Sequence, residues 1–149
     1  MVEGSSSIEE LRSKIGVEWE AGVYEIEKGM IRRFVQAIGD PNPLWQDEEY
    51  ANQNRYGGVI APPNFIHSVG FEQFVEQALP LISGERALSA SSEIECYQPV
   101  RPGDTITATL QLSDVRERQG KMRFMPFDTT YKNQRQELVA KYRHTIVSY

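Results

Sequence analysis

The spacing of apolar positions changes once along this chain, and the change separates a helical first half from a stranded second half. Between Lys28 and Ile38, the residues Ile31, Phe34, Val35 and Ile38 fall at i, i+3, i+4 and i+7, on one face of a helix. Arg32, Arg33 and Gln36 take the opposite face. Gly39 suits the position just past the helix end, and Pro41 prevents continuation. A longer helix is predicted from Pro62 to about Leu79, because prolines fit a first turn and Pro80 marks a stop. Phe65, Ile66, Val69, Phe71, Phe74, Val75 and Ala78 make it apolar over most of its circumference, so other structure is expected to enclose it.

From Ala87 onward the period is two. Leu88, Ala90, Ser92, Ile94 and Cys96 alternate with polar partners, and Ile106, Ala108, Leu110 and Leu112 do so after a turn at Arg101–Asp104. Two more strands are predicted over Lys121–Tyr131 and Leu138–Tyr149. Pro126 inside the first of these implies an edge position or a bulge. Upstream, Trp19–Ile26 reads as a strand, Ile8–Ile15 as a short helix and Asp47–Asn52 as a helical turn. Four strands in a meander after an enclosed helix make an α+β layer, and the arrangement expected is a single hot-dog fold, an antiparallel sheet wrapped around a long central helix. Residues 1–15 are expected to be a flexible N-terminal segment and 16–149 the domain.

Composition narrows the function classes. At 149 residues, with 40% hydrophobic and 25% charged side chains, the chain is long enough for one real core and too apolar for disorder. Its net charge of −5 and scattered basic residues give no footprint for nucleic acid. No apolar run approaches the ~20 residues of a membrane span. The small, polar start lacks the basic and apolar regions of a signal peptide, so a cytoplasmic location is expected. The lone Cys96 cannot build a disulfide framework or a cysteine metal site, and its apolar-alternating run predicts a buried thiol. Nothing in the sequence calls for a metal or an organic cofactor.

The chemistry concentrates in two segments. Gly39-Asp40-Pro41-Asn42-Pro43-Leu44-Trp45 forms a rigid polar turn between the two helices. Arg55-Tyr56-Gly57-Gly58-Val59-Ile60-Ala61-Pro62-Pro63-Asn64-Phe65 leads into the long helix, with two glycines that permit close backbone approach. Together they resemble the MaoC-like (R)-specific enoyl-thioester hydratases and 3-hydroxyacyl-thioester dehydratases. That family's pattern is Gly-Asp-x-Asn-Pro-x-His, then an Asp, an aromatic–Gly–Gly run and a small residue opening the central helix. Gly39, Asp40, Asn42, Pro43 and Asp47 match, as do Tyr56, Gly57, Gly58, Ile60 and Ala61. Val100-Arg101-Pro102-Gly103-Asp104 resembles the family's strand-to-strand turn. The likeness spans about residues 20–149.

The resemblance implies reversible addition of water across the C2–C3 double bond of an enoyl thioester, with the motif's aspartate and histidine acting on one water. Such chemistry needs an acid/base pair and a donor for the developing enolate oxygen. Two departures bear on it. Trp45 stands at the histidine position, and indole cannot shuttle a proton near neutral pH. Pro63 stands where a backbone N–H would serve the thioester oxygen, and proline has none. A subgroup with the same substitutions is similar to non-catalytic partner subunits of heteromeric dehydratases and to the N-terminal halves of double hot-dog dehydratases, resembling the FAS1-like type.

The expected function is therefore a subunit that binds acyl-CoA or acyl-ACP thioesters and assists a catalytic sister chain. One alternative is a self-sufficient homodimeric hydratase in which Asp40 works with His67 or Asn64. Another is an acyl-CoA binding module without chemistry. The candidate catalytic residues are Asp40 and His67; the candidate substrate-binding residues are Asn42, Trp45, Gly57, Gly58, Ala61 and Asn64. His67 also fits a satisfied structural histidine, as does His144. Arg101, Lys141 and Arg143 suit either a nucleotide phosphate or a solvated strand edge. A homodimer or a heterodimer with the sister chain is expected, and neither nucleic acid nor membrane is an expected partner.

Overall fold

A computed structural model describes residues 6–82 and 86–149. In chain order the elements are α1 (Ile8–Ser13), β1 (Glu18–Glu25), α2 (Lys28–Ile38), α3 (Glu48–Asn52), α4 (Phe71–Ala78), β2 (Ala87–Cys96), β3 (Thr105–Leu112), β4 (Arg116–Arg118), β5 (Met122–Lys132) and β6 (Leu138–Ser148). Short 3-10 segments cover Pro43–Trp45, Pro63–Ser68 and Leu79–Leu81. The strands form one antiparallel sheet in the order β1-β3-β5-β6-β2, with β4 beside β5. The helical layer packs on one face of the sheet. This is the expected α+β hot-dog fold.

The alternating rows of β3 and β5 explain the core. Ile106, Ala108, Leu110 and Leu112 are fully buried, as are Met125 and Phe127. They meet the helical layer, where Phe65 and Ile66 are buried and Phe74 lies edge-on to Phe127, centroids 5.5 Å apart. Leu11 of α1 joins the same cluster, after a capping box in which Ser7 and Glu10 satisfy each other's backbone N–H groups. The expectation of a flexible tip falls partly on residues 1–5, outside the described residues.

Three expectations need correcting. The last four long strands are not a meander: β2 pairs with β6 and not with β3, so β2 forms one edge of the sheet and β1 the other. The link between β2 and β3 carries Pro99 and Pro102, and it crosses to the far side instead of closing a hairpin. The predicted helix over Pro62–Leu79 is broken. It runs as a 3-10 segment to Ser68 and restarts at Phe71 behind Gly70, which adopts a left-handed φ of 77°. A Cβ on Gly70 would sit 3.1 Å from the Ala21 carbonyl oxygen, so glycine allows β1 and the helix to approach. Phe71, Val75 and Leu79 are exposed, not enclosed. Finally, Cys96 is exposed, because β2 is an uncovered edge strand whose ten residues are all exposed.

Pro126 lies in an interior strand without costing a ladder bond. Its carbonyl accepts from Ser113 N at 2.9 Å, so its nitrogen faces the gap where β3 ends and β4 begins. No register shift falls at Pro126; shifts fall between Glu20 and Val23, between Tyr131 and Lys132, and at Ala90 of β2, with Ser89 opposite Ile146 and Ser91 opposite Thr145.

Candidate active-site loop and acyl slot

The loop after α2 is built by its own short polar side chains. Gly39 ends α2 with φ 67°, and Asp40 follows. Asp40 Oδ1 accepts the N–H of Asn42 at 3.0 Å, and Asn42 Oδ1 accepts the N–H of Leu44 at 3.0 Å. Asp47 caps α3 by accepting the N–H of Tyr50 at 3.0 Å. These bonds set Trp45 in the intervening 3-10 turn, where its indole Nε1–H donates to Asp40 Oδ2 at 2.9 Å. Both oxygens of the candidate catalytic carboxylate are thus engaged inside their own loop.

Trp45 also walls an apolar slot of about 290 Å³. Tyr56, Ala61, Pro63 and Ile66 line it from the loop and helix side, and Cys96, Val100, Val139 and Ala140 from the sheet side. Cys96 and Ala140 are register partners across β2 and β6, so two small side chains leave the space that the slot occupies. The residue is exposed at the strand edge, but its side chain lines the slot, and partial desolvation there raises the thiol above its ordinary pKa. The mouth offers little to a developing oxyanion. Ala61 N already donates to the Val100 carbonyl at 2.8 Å, and Pro62 and Pro63 have no N–H.

The candidate residues occupy separate places. Trp45 and Ala61 line the slot, and Asp40 and Asn42 stand behind Trp45. Gly57 and Gly58 shape the turn above it; Gly58 faces Asn52 and Arg101 and not the slot lining. Asn64 is exposed at the start of the 3-10 segment. His67 lies elsewhere, with its ring 4.8 Å from Tyr142 and 6.5 Å from His144. No hydrogen bond or ion pair joins Asp40 to His67 among the described residues. Desolvation lowers the pKa of His67. It also lowers that of His144, where His67 adds to the effect.

The basic residues considered for a phosphate have separate settings. Arg143 forms a two-point pair with Asp128 at 2.7 and 2.8 Å on the outer sheet face, beside Lys141, Glu93 and Glu95. Arg101 sits at the Val100–Asp104 turn, whose Asp104 accepts the Arg101 N–H at 2.8 Å. The sequence did not reveal the sheet-side lining of Cys96, Val139 and Ala140. Those residues converge only through the β2–β6 pairing, which no local spacing encodes.

Residues 13–142 match the family model described as the FAS1-like, dehydratase domain region. The chain belongs to this family. A UPF0336 protein of Streptomyces avermitilis is 33% identical over 100 residues, 65% of this chain and 67% of that protein. A Thermomonospora curvata protein named "Probable enoyl-CoA hydratase alpha subunit" is 27% identical over 80% of this chain, which spans 44% of its length. Among solved structures, the MaoC-like dehydratase of Rhodospirillum rubrum superposes with a TM-score of 0.76 at 22% identity, covering 91% of this chain and 92% of that one. The HadBC (3R-hydroxyacyl-ACP dehydratase) complex of Mycobacterium tuberculosis gives 0.80 at 20%, covering 91% and 97%. At these identities the structural likeness shows the fold. The family match adds the dehydratase class. No helix among the described residues is long and apolar enough to cross a membrane.

Proposed function

We propose that this FAS1-like dehydratase-family chain is the non-catalytic subunit of an enoyl-thioester hydratase or 3-hydroxyacyl-thioester dehydratase. It binds the acyl part of an acyl-CoA or acyl-ACP in the slot beside Trp45, and a sister chain of the same fold supplies the Asp/His pair. The observation that carries this reading is the closed Asp40–Trp45 pair. A carboxylate that accepts from both Asn42 N–H and Trp45 Nε1–H holds a loop, and the residue bonded to it cannot take a proton. The donor-poor stretch Ala61–Pro63 supports the same conclusion.

A partner is supported by what lies uncovered. Edge strand β2 is exposed along its length, and Phe71, Val75 and Leu79 leave an apolar ridge uncovered on the helical layer. A strand and helix of a like-folded chain fit that surface. The solved HadBC and ChsH1–ChsH2 structures of Mycobacterium tuberculosis are complexes, and the Thermomonospora curvata relative is named as an alpha subunit. A cytoplasmic location belongs to this reading.

The test is hydration of crotonyl-CoA and longer enoyl-CoAs by the purified chain alone and with a like-folded chain that keeps His at the Trp45 position. Turnover is expected only from the pair. Robust turnover by the lone chain overturns the reading.

A further inference from the structure

The uncovered surface has a polar floor that the proposed chemistry does not use. Two bonds link the inner faces of β2 and β6: Ser89 Oγ to His144 Nε2 at 2.7 Å, and Tyr142 OH to Ser92 Oγ at 2.9 Å. The Ala90 bulge makes this possible, because it brings Ser89 to the inner face that Ser92 also occupies. His67 stands over the pair, against Tyr142 and 5.6 Å from the Phe71 ring. Phe74 covers His144 at 5.3 Å. The other nitrogen of His144, Nδ1, is buried and has no partner among the described residues.

We propose that the sister chain closes over this two-histidine floor and accepts only its uncharged form, so that assembly is proton-coupled and mild acid releases the partner. This rests on the subunit reading above. A protonated His144 carries N–H on both nitrogens, and Nδ1 has no acceptor. A second charge on His67 would lie one ring-contact away. Among the described residues, no carboxylate faces the pair from any packed element. Helix α4 turns Phe71 and Phe74 to it, while Glu72, Gln73 and Glu76 lie toward Tyr24 of β1. Strand β5 presents Phe127 beneath Phe74, with Asp128 paired to Arg143 on the outer face. From β2 come Ser89 and Ser92, with Glu93 and Glu95 outside, and from β6 Tyr142, with Lys141 and Arg143 outside. Burial already lowers both histidine pKa values, and a covering chain buries them further.

The experiment measures the dissociation constant of the complex between this chain and the His-bearing sister chain by sedimentation, from about pH 7.5 to about pH 5.5. The expected weakening is about tenfold or more across that range, since the unperturbed imidazole pKa is about 6.5. The double variant His67→Phe/His144→Gln should show a flat profile. Imidazole NMR titration of the unsubstituted chain, free and bound, gives a readout independent of variant folding: both pKa values should fall on binding. A pH-independent complex, or unchanged histidine titration on binding, overturns this inference and leaves the subunit reading standing. Absence of any complex at about pH 7.5, or a homodimer that persists when the sister chain is supplied, overturns both.

Discussion

Trp45 Nε1 donates to Asp40 Oδ2 across five residues of sequence, closing the loop between α2 and α3. On the proposed reading, the indole stands where a catalytic histidine would and takes one of the two Asp40 oxygens. Substitution at position 45 therefore tests structure and chemistry together. Trp45→Phe should keep the slot wall and lose the donor. A hydrogen bond to a charged acceptor is worth about 1.5–3 kcal/mol, less where water reaches it. The half-buried pair should cost about 1 kcal/mol in urea unfolding, and an unchanged midpoint would show that the loop does not depend on it.

Restoring catalysis should take two changes. Trp45→His frees Asp40 and adds a base, but Pro63 still withholds a backbone donor. A single oxyanion donor is worth about a hundredfold to a thousandfold in rate. Trp45→His alone should remain within about tenfold of background on crotonyl-CoA. Adding Pro63→Gly should raise the rate by about a hundredfold over that variant, and equal rates for the two would remove Pro63 from the argument.

Cys96 reports on slot occupancy. It is the sole cysteine and it lines the slot, so a maleimide should label one site, slowly, because burial disfavours the thiolate. Saturating acyl-CoA should slow labelling about tenfold or more, as followed by mass spectrometry. Equal labelling rates with and without acyl-CoA would place the acyl chain elsewhere.

Stability of the isolated chain should fall in mild acid. His67 and His144 have folded pKa values below the unfolded value of about 6.5. The unfolded state therefore binds more protons between those values, so stability is full above about pH 6.5. It declines as pH drops through the folded pKa values. Urea midpoints measured from about pH 8 to about pH 5 should show this, and His144→Gln should flatten the curve.

Gly70→Ala probes the helix break. The backbone there has φ 77°, and the new methyl would press on the Ala21 carbonyl. The left-handed conformation alone costs about 1–2 kcal/mol for a residue with a Cβ. Contact with a fixed backbone atom adds to that. A loss of about 2 kcal/mol in urea unfolding is expected, whereas Gly16→Ala, with open space around its Cβ, should show only the conformational part.

Local signals were legible in the sequence and long-range ones were not. Helix α2 came out to the residue because its period, Gly39 and Pro41 agree. The inward row of β3 came out because each of its apolar side chains is buried by the same sheet face. Pro126 implied an edge position or a bulge because a sequence shows a missing N–H but not the gap it points into. The family motif placed Asp40, Asn42 and Trp45 in one loop, and the structure joins them there. It could not place His67, which belongs to a cluster made by β2, β6 and α4. Ser89 carried no signal at all, since one extra residue decides the side of the sheet on which it falls.

That extra residue, Ala90, sets the phase of the strand. It bulges out of the ladder, so Ser89 falls opposite Ile146. Drawn into a regular ladder, Ala90 would take that place, and the alternation would run unbroken from Cys96 back to Leu88, turning Leu88 inward and Ser89 to the solvent. The hydroxyl that meets His144 would be exchanged for a methyl group. A one-residue slip, with no change of sequence, is thus enough to take the titratable contact off this surface, whereas deletion of Ala90 leaves Ser89 opposite Ile146 and keeps it.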